Sequence, residues 1–144
     1  VRELGSDAEF NFITYSECFV SENLLRKYIL DKNITIDTTR ANIVSTQRTQ
    51  HNQAKNRANI SFDIREDDHD LTYLSMDDLS ALVESDASLA GQNDQASLYR
   101  DAKEYKPIRD AMAHTARLTR IAKSRLNITY ENIKARIITL LKQA

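Results

Sequence analysis

At 144 residues with a net charge of −1, the chain is long enough for one domain with its own core and too short for two independent ones. A mean hydropathy of −0.54 and the lack of any long apolar run exclude a membrane span. Two glycines and one proline are too few for the turns of an all-β fold, which leaves an all-α fold.

The first element is a helix over Ala8–Lys32, capped by Ser6 or Asp7, with Glu9 in its first turn. Ile13, Val20, Leu24 and Tyr28 recur at helical spacing, flanked by Phe12, Phe19, Leu25 and Ile29, so a broad face is expected in the core. Tyr15, Phe19, Leu24 and Tyr28 read as core or as a surface between copies. Cys18 sits among apolar neighbours and reads as a small buried hydrophobe. Asn33 ends the helix.

A second helix starts at Asp37–Thr39 and runs to Asn59, with only a thin stripe of Val44, His51, Ala54 and Ala58. His51 reads as solvated. Ile60–Ile64 alternates like a strand without a pairing partner, so it is expected as an extended connector. It leads into Glu66-Asp67-Asp68-His69-Asp70, read as a solvated acidic loop ending in a helix cap rather than a metal site, because consecutive residues rarely converge on one ion. A third helix follows from an Asp70 cap over Leu71–Val83, and 85–93 is a loop. A fourth covers Asp94–Tyr105 and kinks or restarts at Pro107, which cannot donate a backbone hydrogen bond. The helix is then expected to reach Leu126, to break at Asn127, and to be followed by a last helix over Thr129–Leu141. The whole reads as one bundle of about five helices kinked at Pro107, over residues 1–144.

The near-neutral total hides a split. Residues 1–99 carry 9 Lys+Arg against 17 Asp+Glu, a balance of −8, and residues 100–144 carry 11 against 4, a balance of +7. A basic C-terminal third suits a polyanionic partner. The rival reading is that basic and acidic helices pair with each other inside the fold. A single cysteine forms no internal disulfide, so a reducing compartment, the cytoplasm, is expected. No leader pattern opens the chain, and a start at Val1 reads as a piece of a longer protein.

Within the basic third, directly after the sole proline, stands Arg109-Asp110-Ala111-Met112-Ala113-His114. A fixed cation beside a group that titrates near neutrality is the minimum equipment for cleaving a phosphodiester without a metal. In one regular helix, Arg109 and His114 lie about 140° apart around the axis and about 7.5 Å along it, so they share no face. Asp110 and His114, at i and i+4, do share one. Arg109 joins them only from an irregular first turn, which Pro107 is expected to supply.

This hexapeptide resembles the R-(N/D/H)-x-x-x-H signature of the HEPN superfamily of small helical ribonucleases and RNA-binding toxin domains. The resemblance extends over about Tyr99–Leu141. It implies a metal-independent endoribonuclease without cofactor, in which His114 exchanges protons as general acid or base. Arg109 grips the scissile phosphate, and Asp110 orients the imidazole or keeps it charged. Attack by the ribose 2′-hydroxyl leaves a 2′,3′-cyclic phosphate. The resemblance further implies a homodimer whose two signature helices face one cleft, with Lys106, Arg117, Arg120 and Lys123 on the RNA backbone and Tyr105 stacked on an unpaired base. A tRNA is a substrate of the kind the family takes, and a toxin or defence role with an antitoxin or further domains is its usual setting. The alternative is a non-catalytic helical module that dimerises or binds RNA within a larger protein.

Overall fold

The computed structural model describes residues 2–85 and 93–143, and all regular structure among them is helical. Helix α1 spans Arg2–Asp31, α2 Thr38–Arg57, α3 Met76–Ser85, α4 Asn93–Ala113 and α5 Arg120–Gln143, with a short 3-10 helix at Asp70–Tyr73. The α4–α5 hairpin forms the centre of the bundle. Helix α3 packs on α4, α1 crosses α3, α4 and α5, and α2 meets the rest chiefly through the 3-10 helix. The expected loop over 85–93 falls mostly outside the described residues.

Helix α1 begins before the expected Ala8, so Ser6 and Asp7 lie inside it rather than capping it. Its buried side is Cys18, Leu25, Tyr28 and Ile29, joined by Thr14, Ser21 and Glu22. Ile13, Val20 and Leu24, expected in the core, are 50%, 54% and 38% exposed. The reason is compositional. Apolar residues surround α1 on all sides, so periodicity selects no face. The buried face is the one whose polar groups find partners: the Ser21 hydroxyl meets the Tyr130 hydroxyl at 3.5 Å, and Glu22 meets two arginines.

Helix α2 starts as expected, with Asp37 Oδ1 accepting from the Arg40 N–H at 2.8 Å. Val44 is its buried residue. Ile60–Ile64 forms no strand. The single helix expected over Leu71–Val83 is two pieces. His69, not Asp70, caps the first: its Nδ1 accepts from the Leu71 N–H at 3.2 Å. The chain then extends through Leu74 before α3 starts at Met76. Arg26 holds this break open by donating to the carbonyls of Leu71 at 3.0 Å and Leu74 at 2.8 Å, which supplies partners that a continuous helix would have provided.

Helix α4 crosses Pro107 as one element, so the expected restart is not made. It buries Leu98, Ala102, Tyr105 and Met112. The expected continuation to Leu126 fails because α4 ends at Ala113, and the break expected at Asn127 lies instead at 114–119. Asn127 is exposed within α5, where an amide side chain in water has no reason to interrupt the helix. Leu126, Tyr130, Ile133, Ile137 and Leu140 supply the buried stripe of α5.

Truncating a core side chain should cost far more than breaking a surface pair. Leu79→Ala, at a fully buried site of α3, should lose about 2–5 kcal/mol in urea unfolding. Arg125→Ala, which removes a half-exposed bidentate pair with Glu104, should lose about 1 kcal/mol or less.

Candidate active site

The signature straddles the end of α4. Arg109, Asp110, Ala111, Met112 and Ala113 are helical, and His114 is the first residue beyond. Thr115 takes φ 64°. Its N–H donates to the Met112 carbonyl at 3.0 Å and the Ala116 N–H donates back to the Ala111 carbonyl at 3.0 Å. Together these form a helix stop in which a left-handed residue lets the last carbonyls find donors. Asn33 and Asn59 close α1 and α2 in the same left-handed conformation, which asparagine tolerates. At Thr115 the residue is β-branched, so the conformation is strained there. The strain lies next to His114.

This geometry alters the register problem posed by the sequence. The irregularity expected at Arg109 lies beyond His114, at Thr115, instead. Arg109 is in regular helix, and the helix ends before His114, which is exposed in the turn. The His114 N–H still donates to the Asp110 carbonyl at 3.0 Å. The Asp110 carboxylate does not orient the imidazole. It accepts from Lys106 at 2.9 Å and Arg109 at 3.1 Å. Burial acts against its charge, but the Lys106 and Arg109 hydrogen bonds outweigh it and hold its pKa below the usual carboxylate range.

Arg109 is about a quarter exposed and meets Glu22 of α1 at 3.4 Å. Burial opposes its charge, yet Glu22, Cys18 and Asp110 overcome that cost and raise the guanidinium pKa above its ordinary value. Arg109 lines a cavity of about 180 Å³ shared with Glu22, Arg26, Gln47, Arg65 and Ser75. The turn after α4 borders a different one of about 320 Å³, with Leu4, Asp7, Met112, Thr115 and Arg117 in its wall. Arg109 and the turn therefore open onto separate spaces within one protomer.

The residues expected along an RNA backbone fare differently. Tyr105 is fully buried, and burial pushes its phenol pKa up, so it is a core residue unavailable for stacking on a base. Arg117 donates to Asp7 of α1 at 2.9 Å and sits 3.7 Å from Glu3. Lys123 pairs with the same Asp7 and lies over the Phe10 ring. Lys106 is engaged by Asp110. Arg120 is exposed and makes no ion pair among the described residues. The C-terminal cations thus pair in part with the acidic N-terminal helix.

Sequence reasoning missed Glu22, Arg26 and Arg65. The signal was present on α1: an acid and a base at i and i+4 on the face of Cys18, Leu25 and Ile29, where a charge needs a partner. His51, expected to be solvated, is half-buried and meets the Tyr73 ring edge-on with centroids 6.3 Å apart. The acidic loop is engaged rather than free: Asp68 accepts from the Tyr73 hydroxyl, Asp70 pairs with Arg48 at 3.0 Å, and Asp67 lies 3.3 Å from His69. No helix of the described residues is long and apolar enough to cross a membrane. No family model, curated protein or solved structure matches the chain.

Two outcomes test this local account. Thr115→Gly should raise stability by about 1 kcal/mol in thermal unfolding, since glycine adopts the left-handed conformation without the Cβ clash. The carboxyl of Asp7 is held below its ordinary pKa of 3.8 by Lys123 and then Arg117. Its stabilisation is therefore present above pH 3.8 and lost as the pH falls through the lower folded value. Acid titration of unfolding should show this loss in the native chain and a shallower fall in Asp7→Asn.

Proposed function

We propose that the chain is a HEPN-type, metal-independent endoribonuclease whose site is completed across a homodimer. What carries this reading is the position of His114 at the C-terminal end of α4, one residue past Ala113, where its imidazole is exposed on the same helix end that bears Arg109. His114 acts on the ribose 2′-hydroxyl or the leaving oxygen, and Arg109 stabilises charge on the phosphorus centre. The attacking hydroxyl belongs to the substrate, so DNA is not cut. The products are a 2′,3′-cyclic phosphate and a 5′-hydroxyl.

A second copy is supported by the outer side of α1. Phe12, Tyr15 and Phe19 form one stripe there, at 74%, 48% and 61% exposure. Contiguous apolar surface of this kind marks contact with another molecule, and a two-fold pairing is the commonest form. The proposed dimer therefore draws its apolar contact from α1 rather than from the signature helix. RNA, with tRNA as one candidate substrate, meets exposed cations such as Arg120. A toxin or defence role within a longer cytoplasmic protein suits this activity and the buried lone Cys18.

A second reading, a non-catalytic module that dimerises or binds RNA, is favoured by one observation. Arg109, Arg117 and Lys123 already face the carboxylates of Glu22 and Asp7. A cleavage assay on RNA in excess chelator separates the two. The ribonuclease reading expects cyclic-phosphate products and a loss of about 10²–10⁴-fold in rate for His114→Ala, with a comparable loss for Arg109→Ala. Cleavage that is unchanged in both variants sinks it. Salt-sensitive RNA binding without cleavage, in a dimer that survives both substitutions, establishes the module instead.

A further inference from the structure

We infer that the cavity bounded by α1, α2, the 3-10 helix and α4 is a binding site for a phosphate group, held by Arg26, Arg65 and Arg109. The inference shares Arg109 with the ribonuclease reading but is argued from the cavity alone. Its volume of about 180 Å³ falls below the ~300–1,000 Å³ of pockets that enclose whole organic ligands. It therefore admits a small oxyanion, or the terminal phosphate of a larger molecule whose remainder stays outside.

Its charge is unbalanced. Three arginines and one carboxylate, Glu22, line it, a formal excess of two positive charges. Glu22 is shared between Arg26 and Arg109 at 3.4 Å each, so it fully neutralises neither. Arg65 is anchored without a carboxylate, by the Thr72 carbonyl at 3.1 Å and by the Tyr73 ring, whose centroid lies 4.1 Å away. The Nε–H groups of Arg65 and Arg109 are buried without an acceptor. A buried donor without a partner is costly, so both guanidinium groups have hydrogen-bonding capacity left unmet by the protein. Burial, and also the charge of Arg109, lower the pKa of Arg26, as expected where positive charge is in excess.

The arginines are also fixed in advance. Arg26 is held by the carbonyls of Leu71 and Leu74, and its side chain is only 13% exposed. Little rotamer entropy is left to lose when an anion binds. The three forks reach the cavity from α1, from the connector after α2, and from α4. Arg26 already commits its Nε, Nη1 and Nη2 groups to Leu71, Asn23, Glu22 and Leu74, so it supplies chiefly charge, while Arg65 and Arg109 supply the N–H groups for a tetrahedral anion.

The test is titration of the whole chain with inorganic phosphate at constant ionic strength, read on the arginine Nε–H resonances. Saturable one-to-one binding that moves the resonances of Arg26, Arg65 and Arg109 is expected, with chloride producing no such shift. Arg65→Gln should weaken phosphate by about tenfold or more, while Arg48→Gln, which also meets the Tyr73 ring but lies outside the cavity, should leave affinity unchanged. Repeating the titration with a mononucleotide carrying a terminal phosphate identifies the source: tighter binding than inorganic phosphate means a nucleotide phosphate, and equal binding means the free ion. Non-saturating shifts, or saturation that leaves those three resonances unmoved, overturn the site even if a variant fails to fold. A native chain that binds phosphate at this site yet cuts no RNA defeats the ribonuclease reading alone.

Discussion

A single buried carboxylate organises the molecule. The Glu22 side chain is 7% exposed, and a charge so placed is tolerable only when paired and hydrogen-bonded. It receives Arg26 from its own helix, Arg109 from α4, and the Cys18 thiol at 3.5 Å. Arg26 in turn spans to the carbonyls of Leu71 and Leu74 and sets where the 3-10 helix ends and α3 begins. Three parts of the chain distant in sequence are thereby tied to one acid. Removing either partner from such a pair strands a charge in low dielectric, so the elements cannot shift independently.

The same acid sets the terms for function. Arg109 is the signature cation, and its charge is shared with Glu22 and Asp110 before any ligand arrives. A phosphate must therefore compete with a carboxylate or join it, and the additional arginines of the cavity favour joining. His114 is under no comparable restraint. It is the first residue past α4, and the strained Thr115 that turns the chain away follows it directly. Strain of this sort costs about 1–3 kcal/mol and persists only where the surroundings enforce it. Here the enforcing contacts are the two hydrogen bonds that close the end of α4.

Charge pairing decides how the basic third of the chain is used. Arg117 and Lys123 converge on Asp7 and fasten α5 and the preceding loop to the first turns of α1. Arg136 with Asp101 and Arg125 with Glu104 join α5 to α4. The +7 balance of residues 100–144 is thus partly consumed by the fold, and only the remainder, with Arg120 among it, stays exposed and outside these pairs. Charge counted along the chain overstates what is available at the surface.

Composition was sufficient for the fold class: so few turn residues and so many apolar positions at helical spacing leave a helical bundle. Local chemistry was also sufficient for the Asp37 cap and the stop at Asn33, because those signals act within a few residues. The buried face of α1, the break at Leu74 and the end of α4 were not legible. Apolar residues surround α1, so only contact with α3, α4 and α5 selects Cys18, Leu25 and Ile29 over Ile13, Val20 and Leu24. Thr115 carries none of the sequence preference of a helix stop; the two hydrogen bonds that close α4 hold it in a conformation it does not favour. The hexapeptide determined which groups are present, a cation, an acid and a titratable ring. Helical register within α4 set Asp110 against Lys106 at i and i+4, whereas the tertiary structure set Arg109 against Glu22 of α1 and left His114 exposed at the helix end, because a buried carboxylate needs a partner from another element.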